Sequence, residues 1–370
     1  MKNIYRAGLV AGLVSASGYA WATPCEYALS SYASYVSSGY SESAAEIVSN
    51  HPECFGGSPG SSLMSINSTS FVLAFAIGNA LALRQSVDGP TPTARVASAG
   101  VKGMAAGGAA SKWNAWGNLN NNDTRQSYTA ANGFKSKNNV DIMTTVLGVD
   151  YGLSPTMALG VSAAFDDGDG SGRNYGPGGT KNTTDSSGYV IAPYFGMQLS
   201  KALSFDVSAG MGRGKIDTST NTDSRADRWF AAANLNYNRW FDNIQLTGRV
   251  GYLHGVEDYD DIENSATGVK FAGTDAKNTL DQIRLGGQVG YWMNGVMPFA
   301  SLAYTNDVGR KTTQFGVSGN PIGRDAWVWG LGMNFYSVKD GVAGGVTYNE
   351  ETGRNNQTNR SLMANINIHF

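Results

Sequence analysis

The sequence predicts an all-β membrane barrel of twelve antiparallel strands in up-and-down order, preceded by a small α-helical region. Three observations predict it. From Lys112 onward about twelve segments alternate apolar and polar residues, the connections between them are long and short in turn, and the chain finishes on one such segment, "SLMANINIHF". Successive side chains of a strand point to opposite faces, so each segment has one oily and one wet face. A single strand of this kind suits a soluble sheet. Twelve in succession, with connections sorted by end, suit a tube with lipid outside and water within.

The opening "MKNIYRAGLVAGLVSASGYAWA" carries Lys2 and Arg6, an apolar small-residue stretch, then Ala20-Trp21-Ala22. This reads as a secretory signal over residues 1–22, removed before Thr23, which implies the Sec translocon and signal peptidase as partners. Cys25 does not follow the small apolar quartet of a lipoprotein signal. The 370 residues include 48 glycines and 15 % charged residues, and the net charge is −2. No stretch is basic enough for nucleic acid. The lack of an 18-residue apolar run excludes a helical membrane protein but not a barrel.

Residues 23–60 contain the only cysteines, Cys25 and Cys54, and read as two short helices closed by one disulfide. Free thiols or an intermolecular bridge are the alternatives. Residues 61–86 read as a helix: they lack proline and are followed by Pro90 and Pro92. At 1.5 Å per residue such a helix is roughly 37 Å long. Its apolar core, Phe71 to Leu83, is interrupted by Gly78 and Asn79 and is too short to span lipid. Two placements are open, the barrel lumen or a small periplasmic domain. Residues 87–111 are a Gly/Ala-rich linker.

Residues 112–370 make the barrel. In "TMALGVSAAFD", Met157, Leu159, Val161, Ala163 and Phe165 share the lipid face. In "DQIRLGGQVGYW", Ile283, Leu285, Val289 and Tyr291 oppose Gln282, Arg284, Gly286 and Gln288. Strands of about ten residues are expected, joined alternately by connections of roughly nine to 26 and roughly two to four residues. Residues 293–294 read as one of the tight turns. Tyr151, Phe165, Tyr252, Tyr291, Tyr304 and Phe335 fall at strand ends on the oily face, where headgroups would lie. The wet face is small: Gly148, Gly160, Gly196, Gly210, Gly286, Gly290, Gly330 and Gly332 point inward, with Asp150, Asp206, Arg249 and Arg284. Either water fills this space or a segment of the chain does.

Catalytic and metal chemistry find little support. The histidines are His51, His254 and His369, and no nucleophile motif accompanies them. The chain reads as a non-enzyme without cofactor. The acidic runs "DDGDG" at 166–170 and "EDYDDIE" at 257–263 lack a full spaced ligand set and read as solvated loop charge.

With "IGNALALR" as lead-in helix, "WNAWGNLN" as first strand, "VDYGLSPTMALGVSAAF" as second hairpin and "ANINIHF" at the end, residues 62–370 resemble the translocator domain of classical autotransporters, the type V secretion barrels of Gram-negative bacteria. The resemblance implies a twelve-strand outer-membrane barrel with an N-terminal helix threaded through it, reached through the periplasm, which anchors and helps export an N-terminal passenger. It also implies that Leu362, Ala364, Ile366, Ile368 and Phe370 form the signal read by the barrel-assembly machinery. The stretch ahead of the helix is small for a passenger and, unlike most, contains cysteines. The expected function is an outer-membrane barrel that displays or translocates its own short N-terminal segment. The alternative is a passive pore or loop-mediated adhesin with a periplasmic cap. No extracellular ligand is indicated.

Overall fold

The computed structural model describes residues 24–38, 40, 43, 44, 46, 47, 59–85, 112–129, 135–174, 181–219, 221–271, 275–314, 317, 318, 322–337 and 341–369. Helices α1, Pro24–Ser37, and α2, Pro59–Gln85, precede the sheet, each with proline at its first position, where the missing N–H leaves no helical bond unmade. Twelve staves follow: β1 Trp113–Thr129, β2 Lys135–Ser154, β3 Met157–Asn174, β4 Lys181–Gln198, β5 Leu203–Thr218, β6 Thr222–Phe241, β7 Ile244–Tyr259, β8 Ala276–Tyr291, β9 Val296–Gln314, β10 Asp325–Ser337, β11 Val342–Thr352 and β12 Gln357–His369. Each pairs antiparallel with its sequence neighbours, and β12 pairs with β1 from Asn114↔His369 to Gln126↔Gln357, closing the ring. Two-residue strands, Glu263–Asn264 and Val317–Ser318, extend the rim beside β6 and β9.

Large apolar side chains face outward around the whole ring. Leu159, Leu147, Leu285, Leu331 and Leu362 are each about half exposed or more, as are their neighbours along the same faces. A soluble protein would not present such a belt to water, whereas hydrocarbon accepts it. Leu362, Ile366 and Ile368 of the last strand lie on this outer face. Aromatic residues mark the edges of the belt. Trp113 meets Tyr151 at 5.0 Å between ring centroids near one end, and Tyr304 meets Trp327 at 5.3 Å near the other.

The alternation of long and short connections holds only in part: 219–221 and 353–356 at one end are no longer than 199–202 at the other, while 260–275 and 315–324 remain long. Strands run to 20 residues rather than about ten, and the long connections shorten accordingly, as at 130–134 and 219–221. The added stretches are polar on the outer face and carry a few apolar residues inward, such as Val140, Ile142 and Ile216, so the outward apolar alternation that announces a lipid-facing strand is missing from them. One cross-strand row on the outer surface shows why they stand in water. Asp123, Asp141, Asp169, Asp185, Asp217 and Asp223 are consecutive partners from β1 to β6. Like charges placed opposite one another are tolerable only in high dielectric. The β8–β9 turn is Asn294–Gly295, one residue beyond the expected 293–294, with φ of 50° and 97°. Positive φ at both central residues is what a two-residue primed hairpin requires.

The inward glycines do not leave open space; neighbouring strands fill it. A Cβ on Gly148 would overlap the Trp116 ring, one on Gly160 the Tyr194 ring, and one on Gly332 the Phe299 ring. Large inward side chains therefore lie flat across glycines of the next strand, a close approach that needs the missing Cβ. Gly160→Ala is expected to destabilise the barrel by about 1–3 kcal/mol through overpacking. The check is a lower urea midpoint for the folded, fast-migrating form in detergent.

Candidate functional site

The lumen is occupied. α2 packs against the inner faces of β1–β9 and β12. Its Val72, Leu73, Ala76, Ile77, Ala80 and Leu81 are buried in one cluster with Trp116, Val146, Val190, Tyr194, Phe230 and Leu253 of the wall. This wall is apolar, which explains how so oily a helix sits inside a barrel: β1–β7 offer it a core rather than water. The periplasmic-domain placement left open by the sequence is overturned by these contacts. Leu81 lies over Gly196, and the Ala80 carbonyl accepts a hydrogen bond from Asn367 Nδ2 at 3.1 Å, both near the short-turn end. Val72 lies beside Asn122, Thr124 and Arg354, toward the long-loop end. α2 thus runs along the lumen with its C-terminal end at the short turns.

Charged and polar groups share the lumen with this core, the two arginines nearest the helix coming from β7 and β8. Arg249 and Arg284 point inward, as the alternation predicts, and stack on the helix. The Arg249 guanidinium lies 5.0 Å from the Phe75 ring centroid, and that of Arg284 lies 4.7 Å from Phe71 and 5.7 Å from Phe75. Such cation–π contacts are worth up to about 2 kcal/mol when desolvated. Arg249 Nη2 also donates to Asn79 Oδ1 at 3.4 Å, and its Nε donates to Asn236 Oδ1 at 2.7 Å. Asn236 and Asn234 donate in turn to the two oxygens of Asp206. Asp150 sits apart, nearer the short turns, accepting from Asn114 Nδ2 and from the Tyr194 hydroxyl, which itself accepts from Trp116 Nε1 at 2.7 Å. So Asp206 and Arg249 belong to one network, Arg284 adjoins it across Phe75, and Asp150 belongs to another.

Two charged clusters toward the long-loop end were missed in the sequence. Arg228 Nη1 donates to both Asp166 oxygens, at 2.8 and 2.9 Å, and its Nε lies 2.6 Å from Glu257 Oε1. Asp307 Oδ2 receives Arg310 and Arg354 at 2.9 and 2.8 Å, Asp307 Oδ1 receives Gln282, and Arg354 pairs with Glu351. The reading of 166–170 and 257–263 as solvated loop charge is therefore corrected. Residues 166–170 and 257–259 are strand, and Asp166 and Glu257 are buried. Counting by twos from Gly160 or Arg249 places both inward, which was the available signal.

The remaining sequence candidates lie elsewhere. His254 is on the outer face, its Nδ1 2.7 Å from Asp281 and its ring 4.8 Å from Trp229. His369 points inward and is buried. Ala364 lies on the outer face with Leu362, Ile366 and Ile368. Phe370 and the side chains of Cys25 and Cys54 fall outside the described residues. Among the described residues no cluster of ligands could hold a metal ion.

Above the long-loop end sits a small second core. Ala28 and Tyr32 of α1, with Ala44 and Ile47, pack on Ile262 and Phe271 of the β7–β8 connection. Burial, followed by Asp275 and Asp261, pushes the Tyr32 phenol up to about 12.

A closed twelve-strand barrel with an oily exterior, aromatic girdles and a helix through its lumen defines a transmembrane translocator barrel. The family model for the autotransporter β-domain matches residues 114–349, and the chain belongs to that family. Among solved structures, the translocator domain of the autotransporter NalP from Neisseria meningitidis superposes with a TM-score of 0.56 at 12% identity, covering 82% of this chain and 98% of that one. The transport unit of AIDA-I from Escherichia coli gives 0.54 at 12% identity, covering 82% and 99%. The β-domain of the Bordetella autotransporter BrkA gives 0.50 at 14% identity, covering 70% and 100%. At these identities the likeness establishes the fold. No curated protein matches the sequence. The family is one of non-enzymatic transport and anchor domains, found in the outer membrane of Gram-negative bacteria.

Arg228→Met leaves two buried carboxylates uncompensated and is expected to cost about 3–5 kcal/mol, read as a lower thermal midpoint of the folded band. The Tyr32 contribution follows from its raised value. Docking of α1 keeps its full strength below the ordinary tyrosine pKa of 10.0 and loses it as pH rises through about 12. Protease sensitivity of α1, followed against tyrosinate absorbance, should rise over that interval, and Tyr32→Phe should remove the pH dependence.

Proposed function

We propose that this barrel anchors in the outer membrane, helps its own N-terminal segment across, and displays residues 23–60 at the cell surface as a small helical cap. The observation that carries this reading is the opposite placement of the two helix-borne contacts. α2 ends among the short turns, while α1 packs on the β7–β8 connection at the other rim. In outer-membrane barrels the short turns face the periplasm and the longer loops face outward. A chain that begins above the long loops and ends α2 below them passes through the lumen once.

The reading assigns each part a role. The signal over residues 1–22 directs the chain through the Sec translocon and is removed by signal peptidase. Leu362, Ala364, Ile366, Ile368 and Phe370 serve as the address read by the barrel-assembly machinery, and the exterior belt meets outer-membrane lipid. The barrel works by geometry and carries no catalytic step. Against the passive-pore alternative stands α2, which fills the lumen's apolar side.

The test is an epitope tag placed after Thr23 and protease added to intact cells. Loss of the tag while the barrel stays intact is expected. A tag protected until the outer membrane is permeabilised would reverse the assignment.

A further inference from the structure

We propose that Arg284 and the lumen gap beside it form a binding site for a small inorganic anion, of the chloride or phosphate class. The proposal does not depend on which side displays residues 23–60.

Arg284 stands out among the lumen charges for what surrounds it. Each lumen carboxylate is engaged elsewhere. Asp166 and Glu257 are held by Arg228, Asp307 and Glu351 by Arg310 and Arg354, Asp206 by two asparagines, and Asp150 by Asn114 and Tyr194. Among the described residues no carboxylate lies within ion-pair distance of Arg284; the Phe71 and Phe75 rings lie against it, Arg249 adds like charge, and Glu351, on the wall of one adjoining cavity, is held by Arg354. The helix cannot supply the missing charge, because residues 59–85 contain neither Asp nor Glu. A cation withdrawn from bulk water without a counter-charge is costly, and two ring faces offset only part of that cost.

The space for a counter-ion is present. Cavities of about 90 and 130 Å³ share Phe75, Arg284 and Asn349 in their walls. The smaller is lined further by Asn120, Asn122, Gln357 and the paired Glu351 and Arg354; the larger is lined by Arg249, Gln288, Ser301 and Asn334 and by no carboxylate, which makes it the better anion site. Roughly 10–15 Å³ of such space accommodates one water, so the larger cavity has room for an anion with part of its hydration shell. Amide N–H groups and the guanidinium fork donate and suit an anion. A cation would meet Arg284 head on.

The experiment follows thermal unfolding of the full-length folded barrel in detergent, in sodium chloride and in sodium gluconate at matched ionic strength. Gluconate serves as the bulky organic reference. Chloride should raise the midpoint saturably, by roughly 2 °C at about five times its dissociation constant. Arg284→Lys should keep the effect and Arg284→Gln should lose it. Phe71→Glu, which places a carboxylate from the helix beside Arg284, should lose it too, and covers the case in which Arg284→Gln does not fold. Equal midpoints for the natural chain in both salts, or a chloride effect that survives in either charge-altering variant, would overturn the site.

Discussion

Hydrocarbon offers no partner to a backbone N–H or C=O, so the structure depends on the seam where β12 meets β1. Twelve strands in a row would otherwise leave two bare edges in lipid. The pairing from Asn114↔His369 to Gln126↔Gln357 removes both. It also sets the direction of the last side chains. With Asn365, Asn367 and His369 turned inward, Leu362, Ile366 and Ile368 must turn out. The oily ending of the chain and the closure of the ring are one constraint seen from two sides.

Closure creates an interior whose walls differ. On the β1–β7 side, Trp116, Tyr194 and Phe230 lie across glycines and join the helix in an apolar core. Beside it, from β7 and β8, Arg249 and Arg284 meet the same helix through ring faces and an amide. The first contact supplies the larger part of the cohesion, since burial of each Leu or Ile is worth about 1.5–3 kcal/mol. The second orients: guanidinium groups on Phe71 and Phe75 and a hydrogen bond to Asn79 fix which face of α2 turns to which wall.

Much of this was legible in the residues. Strand number, inward or outward direction and the girdle positions follow from a period of two, which reports the face a side chain occupies wherever one face is apolar. The same signal fails where the outer face is wet, so the extensions of β1–β6 beyond the oily belt, including the row from Asp123 to Asp223, read as loops. The Arg228 cluster was missed for the same reason, because acidic letters near a strand end look like solvent-facing charge. Which side of α2 would find an apolar wall could not be read locally. Trp116, Val190 and Leu253 come together only when the ring closes. The contact of Tyr32 with Phe271 joins segments more than two hundred positions apart, and no local pattern announces it.

The β12–β1 seam also dictates chronology. A rod lying inside a hoop leaves only along the axis once the hoop is fastened, and here rod and hoop are one polypeptide, with the fastening strand made last. The rod must be in position when the seam forms, or slide in lengthwise afterwards.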